Sequence, residues 1–164
     1  MSCPFCSLTV SEIVLESDCC VFTQIQQSIL IGSGLIIPRS HRETVFELTQ
    51  GEWIDTYELL QRVKVLLDEK YKPDGYNIGW NSGSVAGQEV FHVHLHVIPR
   101  FKDEPFAGRG IRWWLKQEEN RHNPPSLIEL SDAHMSRKET PWLLHESYGV
   151  QVVRLMGQSS RYEI

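Results

Sequence analysis

Residues 91–100 read Phe-His-Val-His-Leu-His-Val-Ile-Pro-Arg and carry imidazoles at His92, His94 and His96. A neutral imidazole near pH 7 can ligate a metal, relay a proton or attack phosphorus to form a covalent intermediate. On a β-strand successive side chains point to opposite faces. His92, His94 and His96 then share one face, and Phe91, Val93, Leu95 and Val97 share the other, which is apolar and meets the core. Neighbouring histidines lie roughly 6.5–7 Å apart along such a strand, and the outer two about 13 Å apart. Two of them can share one ion and the third reaches it poorly, so at least one stays free for chemistry. A strand is a rigid mount, which suits a site that must hold its geometry.

A second set of candidate ligands is Cys3-Pro4-Phe5-Cys6. A C-x-x-C pair can be half of a tetrahedral metal site, a redox pair or two buried thiols. Cys19 and Cys20 are neighbours on an expected strand and point to opposite faces, which makes them core residues rather than ligands.

Several elements must position these groups. Segments 19–25, 34–39, 76–80 and 88–98 read as strands, and 81–87 as a Gly-containing loop. Thr49 and Glu52 form a capping-box signature. Trp53, Ile54, Tyr57, Leu60, Val63 and Leu67 then recur at helical spacing up to Pro73 and Gly75. Residues 126–135 read as a short helix and 148–155 as a late strand, with Trp142 in the core. Strands broken by one long helix predict an α+β fold, a mainly antiparallel sheet with a helix on one face.

The chain has 164 residues, enough for one domain with its own core. Hydrophobic residues make up 41% and charged residues 23%, the balance of a soluble globular protein. The net charge of −5 argues against a general nucleic-acid or anionic-membrane binder. No apolar run approaches a membrane span, and the first residues lack a basic region before an apolar core, so a cytoplasmic location is expected. There cysteines act as thiols or metal ligands rather than disulfides.

Phe91-His92-Val93-His94-Leu95-His96-Val97-Ile98, preceded by Ala86-Gly87-Gln88, closely resembles the motif of the histidine-triad (HIT) family. Gly34-Leu35-Ile36-Ile37-Pro38-Arg39-Ser40-His41 resembles a second family segment, and Tyr76-Asn77-Ile78-Gly79-Trp80-Asn81 resembles the strand before its glycine loop. The resemblance covers about residues 3–105, with 106–164 as a C-terminal extension on the same core. It implies a five-stranded HIT-like sheet extended across a homodimer. It implies a hydrolase or transferase that cleaves at the α-phosphate of a nucleotide, such as a dinucleoside polyphosphate or a nucleoside phosphoramidate of adenine or another purine. His94 maps to the nucleophile, His96 to a phosphate contact and proton donor, and Gln88 to a residue that assists the leaving group. Asn81, Gly83 and Gly87 map to the phosphate-facing loop, although any tight turn uses the same residues.

In the zinc-binding branch of the family, an N-terminal cysteine pair is completed by two histidines that match His41 and His92 here. Cys3, Cys6, His41 and His92 would then hold a structural zinc, and His94 would stay free. No organic cofactor is implied. The chain departs from the family at Ser33, where a histidine stands in many members, and at Ile25, where many have Asp or Asn for the ribose. These departures motivate an alternative, a non-catalytic nucleotide-binding or scaffold protein. A nucleotidylyltransferase with two triad-like halves would need a longer chain. In residues 108–116, Gly-Arg-Gly-Ile-Arg-Trp-Trp-Leu-Lys, aromatic and basic side chains together could stack a base or hold a phosphate, but packing is the commoner use. His122, His134 and His145 have no spacing that suggests a site.

Overall fold

The computed structural model describes residues 3–24 and 27–122. By its contacts the chain falls into two compact units, residues 1–121 and 122–164, and the architecture below is that of the first. The expected helix at 126–135, the strand at 148–155, Trp142, His134, His145 and Ile25 lie outside the described residues.

Five strands form one antiparallel sheet: β1 (Ile13–Glu16), β2 (Cys20–Gln24), β3 (Gly34–Pro38), β4 (Gly75–Gly79) and β5 (Leu95–Arg100). Their order across the sheet is β1-β2-β3-β5-β4. The strand that carries His96 is therefore flanked by β3 on one side and by the edge strand β4 on the other. Gly34 pairs with Gln24 and Val97. A Cβ there would stand 2.4 Å from the Phe22 ring and 2.5 Å from the Thr23 carbonyl, so only glycine lets these strands approach so closely.

Helix α1 (Gln50–Tyr71) starts where the sequence places it. The Thr49 hydroxyl accepts from the Glu52 amide at 3.2 Å, and the Glu52 carboxylate accepts from the Thr49 amide at 2.8 Å. These bonds satisfy two groups that the first turn would otherwise leave unpaired. The helix stops at Lys72, whose left-handed φ of 53° precedes Pro73. The buried face of α1 is Glu52, Thr56, Leu59, Val63 and Leu67. Leu59, Val63 and Leu67 pack on Cys20, Phe22, Ile36, Leu95 and Val97 from the sheet. The first half of the expected apolar stripe lies off this line: Trp53, Ile54 and Tyr57 are exposed.

The opposite face of the sheet carries a smaller core. Val21, Leu35 and Ile37 are covered there by Phe5, Leu8 and Ile13. Cys20 is fully buried against the helix and Cys19 half-buried.

Three expectations change. The triad strand is shorter than 88–98: regular pairing begins at Leu95, because the Val93 amide donates to the Arg42 carbonyl at 2.7 Å instead of to a strand. Phe91 precedes that anchor and is 50% exposed rather than part of the apolar wall, while Val93, Leu95 and Val97 are buried. The histidine face is not an open surface either. His92 is fully buried and His94 nearly so, beneath the N-terminal segment that carries Phe5. Strand β1 and a short helix α2 (Ile111–Leu115) add to the sequence reading. No helix of the described residues is long and apolar enough to cross a membrane.

Leu59→Ala should destabilise the fold by about 2–5 kcal/mol, because it opens a cavity against the sheet. Val65→Ala, on the exposed side of the same helix, should change stability by less than about 0.5 kcal/mol. Denaturant unfolding of both variants checks which face of α1 is buried.

Candidate functional site

The segment between β4 and β5 enters the site through two glycines. Gly83 and Gly87 have φ of 86° and 85°, a region that side chains disfavour. Asn81 spans the loop and donates from Nδ2 to the Gly87 carbonyl at 3.2 Å. Gln88 is buried, and its whole amide is engaged with backbone. Oε1 accepts from the Gly83 amide at 2.8 Å, and Nε2 donates to the carbonyls of Glu43 at 2.6 Å and Val90 at 3.2 Å. In this arrangement Gln88 ties the glycine loop to the segment that follows His41.

That segment is itself anchored. The Arg42 Nε donates to both Glu52 carboxylate oxygens at 3.2 Å. The Arg42 guanidinium and the Thr49 bonds hold the Glu52 carboxyl below its ordinary range, although burial pushes it the other way as the largest single influence. The capping carboxylate of α1 thus also positions the chain next to His41, a second use that the capping-box spacing did not reveal.

Cys3, Cys6, His41 and His92 converge. Their four ligand atoms lie within 4.8 Å of one another. Cys3 Sγ is 3.4 Å and Cys6 Sγ 3.5 Å from His92 Nδ1, and Cys6 Sγ is 3.3 Å from His41 Nδ1. With metal–sulfur bonds near 2.3 Å and metal–nitrogen bonds near 2.0 Å, the sulfur–nitrogen edge of a tetrahedron is about 3.5 Å. The donor set and its spacing fit one tetrahedral ion with no open position. His92 also has the outer partner that ligating histidines use. Its Nε2 donates to the Pro38 carbonyl at 2.8 Å, which leaves the Nδ1 lone pair for the cluster.

His94 is oriented in the opposite sense. Its Nδ1 lies 2.8 Å from the His92 carbonyl, which can only accept, so Nδ1 carries a proton and in the neutral tautomer the lone pair is on Nε2. Phe5 packs edge-on to the His94 ring at 5.2 Å between centroids. The His96 ring stands 4.8 Å from that of His94. The His96 Nε2 is buried and has no partner among the described residues. Burial pushes both His92 and His96 below the ordinary imidazole range, and the neighbouring His94 lowers each further. Both are therefore neutral rings near pH 7.

The structure brings Cys3, Cys6, His41 and His92 together and sets the His94 and His96 rings side by side. Asn81, Gly83, Gly87 and Gln88 form one loop beside them. Ser33 is buried, and its hydroxyl accepts from Gln27 Nε2 at 3.2 Å. Phe5 is the contact that sequence reasoning missed; its place between the two cysteines of the C-x-x-C pair was the available signal. The chemistry open to this arrangement is attack by an unprotonated ring nitrogen, next to a second imidazole whose polar atom awaits a partner.

Comparison with known proteins gives the same picture. The HIT domain family matches residues 9–103. An adenosine 5'-monophosphoramidase of Schizosaccharomyces pombe is 30% identical over 121 residues, 69% of this chain and 84% of that protein. A bis(5'-nucleosyl)-tetraphosphatase of the same organism is 31% identical over 113 residues, 69% of this chain and 61% of that protein. The crystal structure of a zinc-bound histidine triad family protein from Mycobacterium smegmatis superposes with a TM-score of 0.58 at 27% identity, covering 66% of this chain and 82% of that one. With the triad, its glycine loop and the sheet that carries them all in place, the chain belongs to the HIT family.

Proposed function

We propose that this protein is a nucleotide hydrolase or transferase that cleaves at the α-phosphate of a dinucleoside polyphosphate or a nucleoside phosphoramidate. The observation that carries this reading is the His94 tautomer: with Nδ1–H bound to the His92 carbonyl, the lone pair of the neutral ring lies on Nε2, at the residue just before β5. His94 Nε2 attacks the α-phosphorus and forms an N–P bond. The P–O or P–N bond to the leaving group breaks, and its electron pair stays with the leaving atom. His96 contacts a phosphoryl oxygen through its buried, unpartnered Nε2, takes up a proton as the anionic substrate binds beside it, and passes that proton to the leaving atom. Water then attacks phosphorus and gives a proton back to His96, the P–N bond breaks with its electron pair returning to His94, and the nucleoside 5'-monophosphate is released. The loop of Asn81, Gly83 and Gly87 brings backbone close to the phosphates, and Gln88 holds that loop on the leaving-group side. The substrate reading draws on the two fission-yeast relatives, and adenine or another purine is the expected base.

The ion in the Cys3, Cys6, His41 and His92 cluster is zinc in this reading. Bound there, zinc contributes closed tetrahedral coordination and so a structural role. The residues themselves would join the N-terminal segment, with Phe5, to the segment of His92 and His94 that leads into β5. Thiols able to ligate it suit a reducing cytoplasm. A homodimer is supported by the edge strand β4, whose Ile78 is exposed, and by exposed Trp53, Ile54 and Tyr57 nearby in sequence order on α1. Trp53 stacks on Trp80 at 5.3 Å, an aromatic pair at the end of that edge. Residues 1–105 are read as the HIT domain and 106–164 as its extension.

Incubation with diadenosine polyphosphates and adenosine phosphoramidates should give nucleoside monophosphate. His94→Ala should lower the rate by more than about a thousandfold, and His96→Ala by about 10²–10⁴-fold. No turnover by the wild-type protein, together with measurable nucleotide binding, would defeat the enzyme reading in favour of a binding or scaffold protein.

Metal analysis of protein purified without chelator should find about one zinc per chain. Cys6→Ser should lower that content and destabilise the fold by at least about 2 kcal/mol under saturating zinc. Zinc content near zero with both thiols intact would defeat the metal assignment.

A further inference from the structure

Among the described residues most arginines have an acceptor. Arg39 pairs with Glu16, Arg42 with Glu52, Arg100 with Glu104 and Arg121 with Glu118, and Arg62 donates to the Glu16 carbonyl. Arg112 is exposed to water. Arg109 differs from all of these. It is half-buried, and its guanidinium carbon lies 4.4 Å from the Trp113 ring centre and 5.0 Å from that of Phe106. Its side chain makes no hydrogen bond or ion pair to any described residue. A planar guanidinium held between aromatic rings, with its N–H fork unused, is preorganised to bind phosphate oxygens.

The place of this group in the fold gives it a use. Gly79 of β4 pairs with His96 of β5, so both positions point to one face of the sheet. Ile111 Cδ1 lies 3.4 Å from where a Gly79 Cβ would stand. Two residues back on the same face, Asn77 accepts from Arg100, and its amide nitrogen lies 3.9 Å from where a Gly110 Cβ would stand. The start of α2 and the turn before it are thus laid over β4 on the imidazole face. Strand order then puts the histidines between two unlike walls. On the β3 side lie Leu35, Ile37 and Phe5, all apolar. On the β4 side lies the Arg109 ledge, where Trp114 packs edge-on to Trp113 at 4.5 Å and to Phe106 at 5.4 Å and keeps about half of its surface, 51%, exposed.

We propose that Arg109 and Trp114, supported by Trp113, form a second nucleotide subsite that receives the leaving half of a dinucleoside polyphosphate. This rests on the nucleotidyl-transfer reading of His94. Arg109 binds the leaving phosphates and Trp114 stacks the second base. When the bridging P–O bond breaks, its electron pair stays on the leaving phosphate, and the negative charge that builds there sits beside Arg109. A phosphoramidate releases an amine with no second phosphate and gains nothing from the ledge. The subsite therefore favours dinucleotides over phosphoramidates as the substrate class.

The test is calorimetric titration of the full chain with AMP and with a methylene-bridged, non-hydrolysable diadenosine tetraphosphate. The wild type should bind the dinucleotide at least about fivefold more tightly than AMP, the value of one stacked base. Arg109→Gln and Trp114→Ala should each remove that advantage and leave AMP affinity unchanged, and Arg109→Lys should restore part of it. Equal wild-type affinities for the two ligands, or variants in which both affinities fall together or neither falls, would overturn the subsite. A wild-type protein that binds neither ligand would overturn the nucleotide reading itself.

Discussion

Two backbone carbonyls decide what the triad can do. The Pro38 carbonyl takes the Nε2 proton of His92, and the His92 carbonyl takes the Nδ1 proton of His94. Two histidines on one segment are thereby held in opposite tautomers. One presents Nδ1 to a cluster of two thiols and a second imidazole; the other presents Nε2 to the space beside His96. The division of labour is a property of the backbone path more than of the imidazoles.

That path depends on features far apart in sequence. Regular pairing with β3 and β4 stops short of His94, because the Val93 amide is bound by the Arg42 carbonyl. Arg42 is in turn fixed by Glu52 at the first turn of α1, and the Glu43 carbonyl by Gln88. The helix cap, the chain after His41, the glycine loop and the histidine segment form one connected set of hydrogen bonds. A buried carboxylate, Glu52, and a buried amide, Gln88, are both members of that set.

Much of this was legible in the sequence, and the failures have physical causes. Strict alternation at 92, 94 and 96 located the site, and Thr49 with Glu52 located the start of α1 to the residue. Cys3 and Cys6 could be joined to His41 and His92 only through family resemblance, because no local spacing says which distant histidines complete a C-x-x-C pair. Alternation also overstated the strand: a period of two describes any extended chain, but the backbone bends at Val90, Phe91 and His92 before β5 begins. On α1 the aromatic residues had the right period but the wrong phase, since Glu52 and Thr56 face inward for hydrogen bonding and turn Trp53 and Tyr57 outward. The engagement of Gln88 with three backbone groups, and the tautomers, depend on distances of a few ångströms between remote segments, which composition and spacing do not encode.

The central claim concerns protons, so it is tested most directly by watching them. Long-range proton–nitrogen correlation spectra of the full chain, with the imidazoles labelled with nitrogen-15 and assigned through His92→Ala and His94→Ala, report which ring nitrogen of each histidine is protonated near neutral pH. The account requires His94 to carry its proton on Nδ1 with Nε2 unprotonated, and His92 to carry its proton on Nε2. A His94 ring protonated on Nε2 at that pH would contradict it, because the nitrogen assigned to attack phosphorus would then have no lone pair to give.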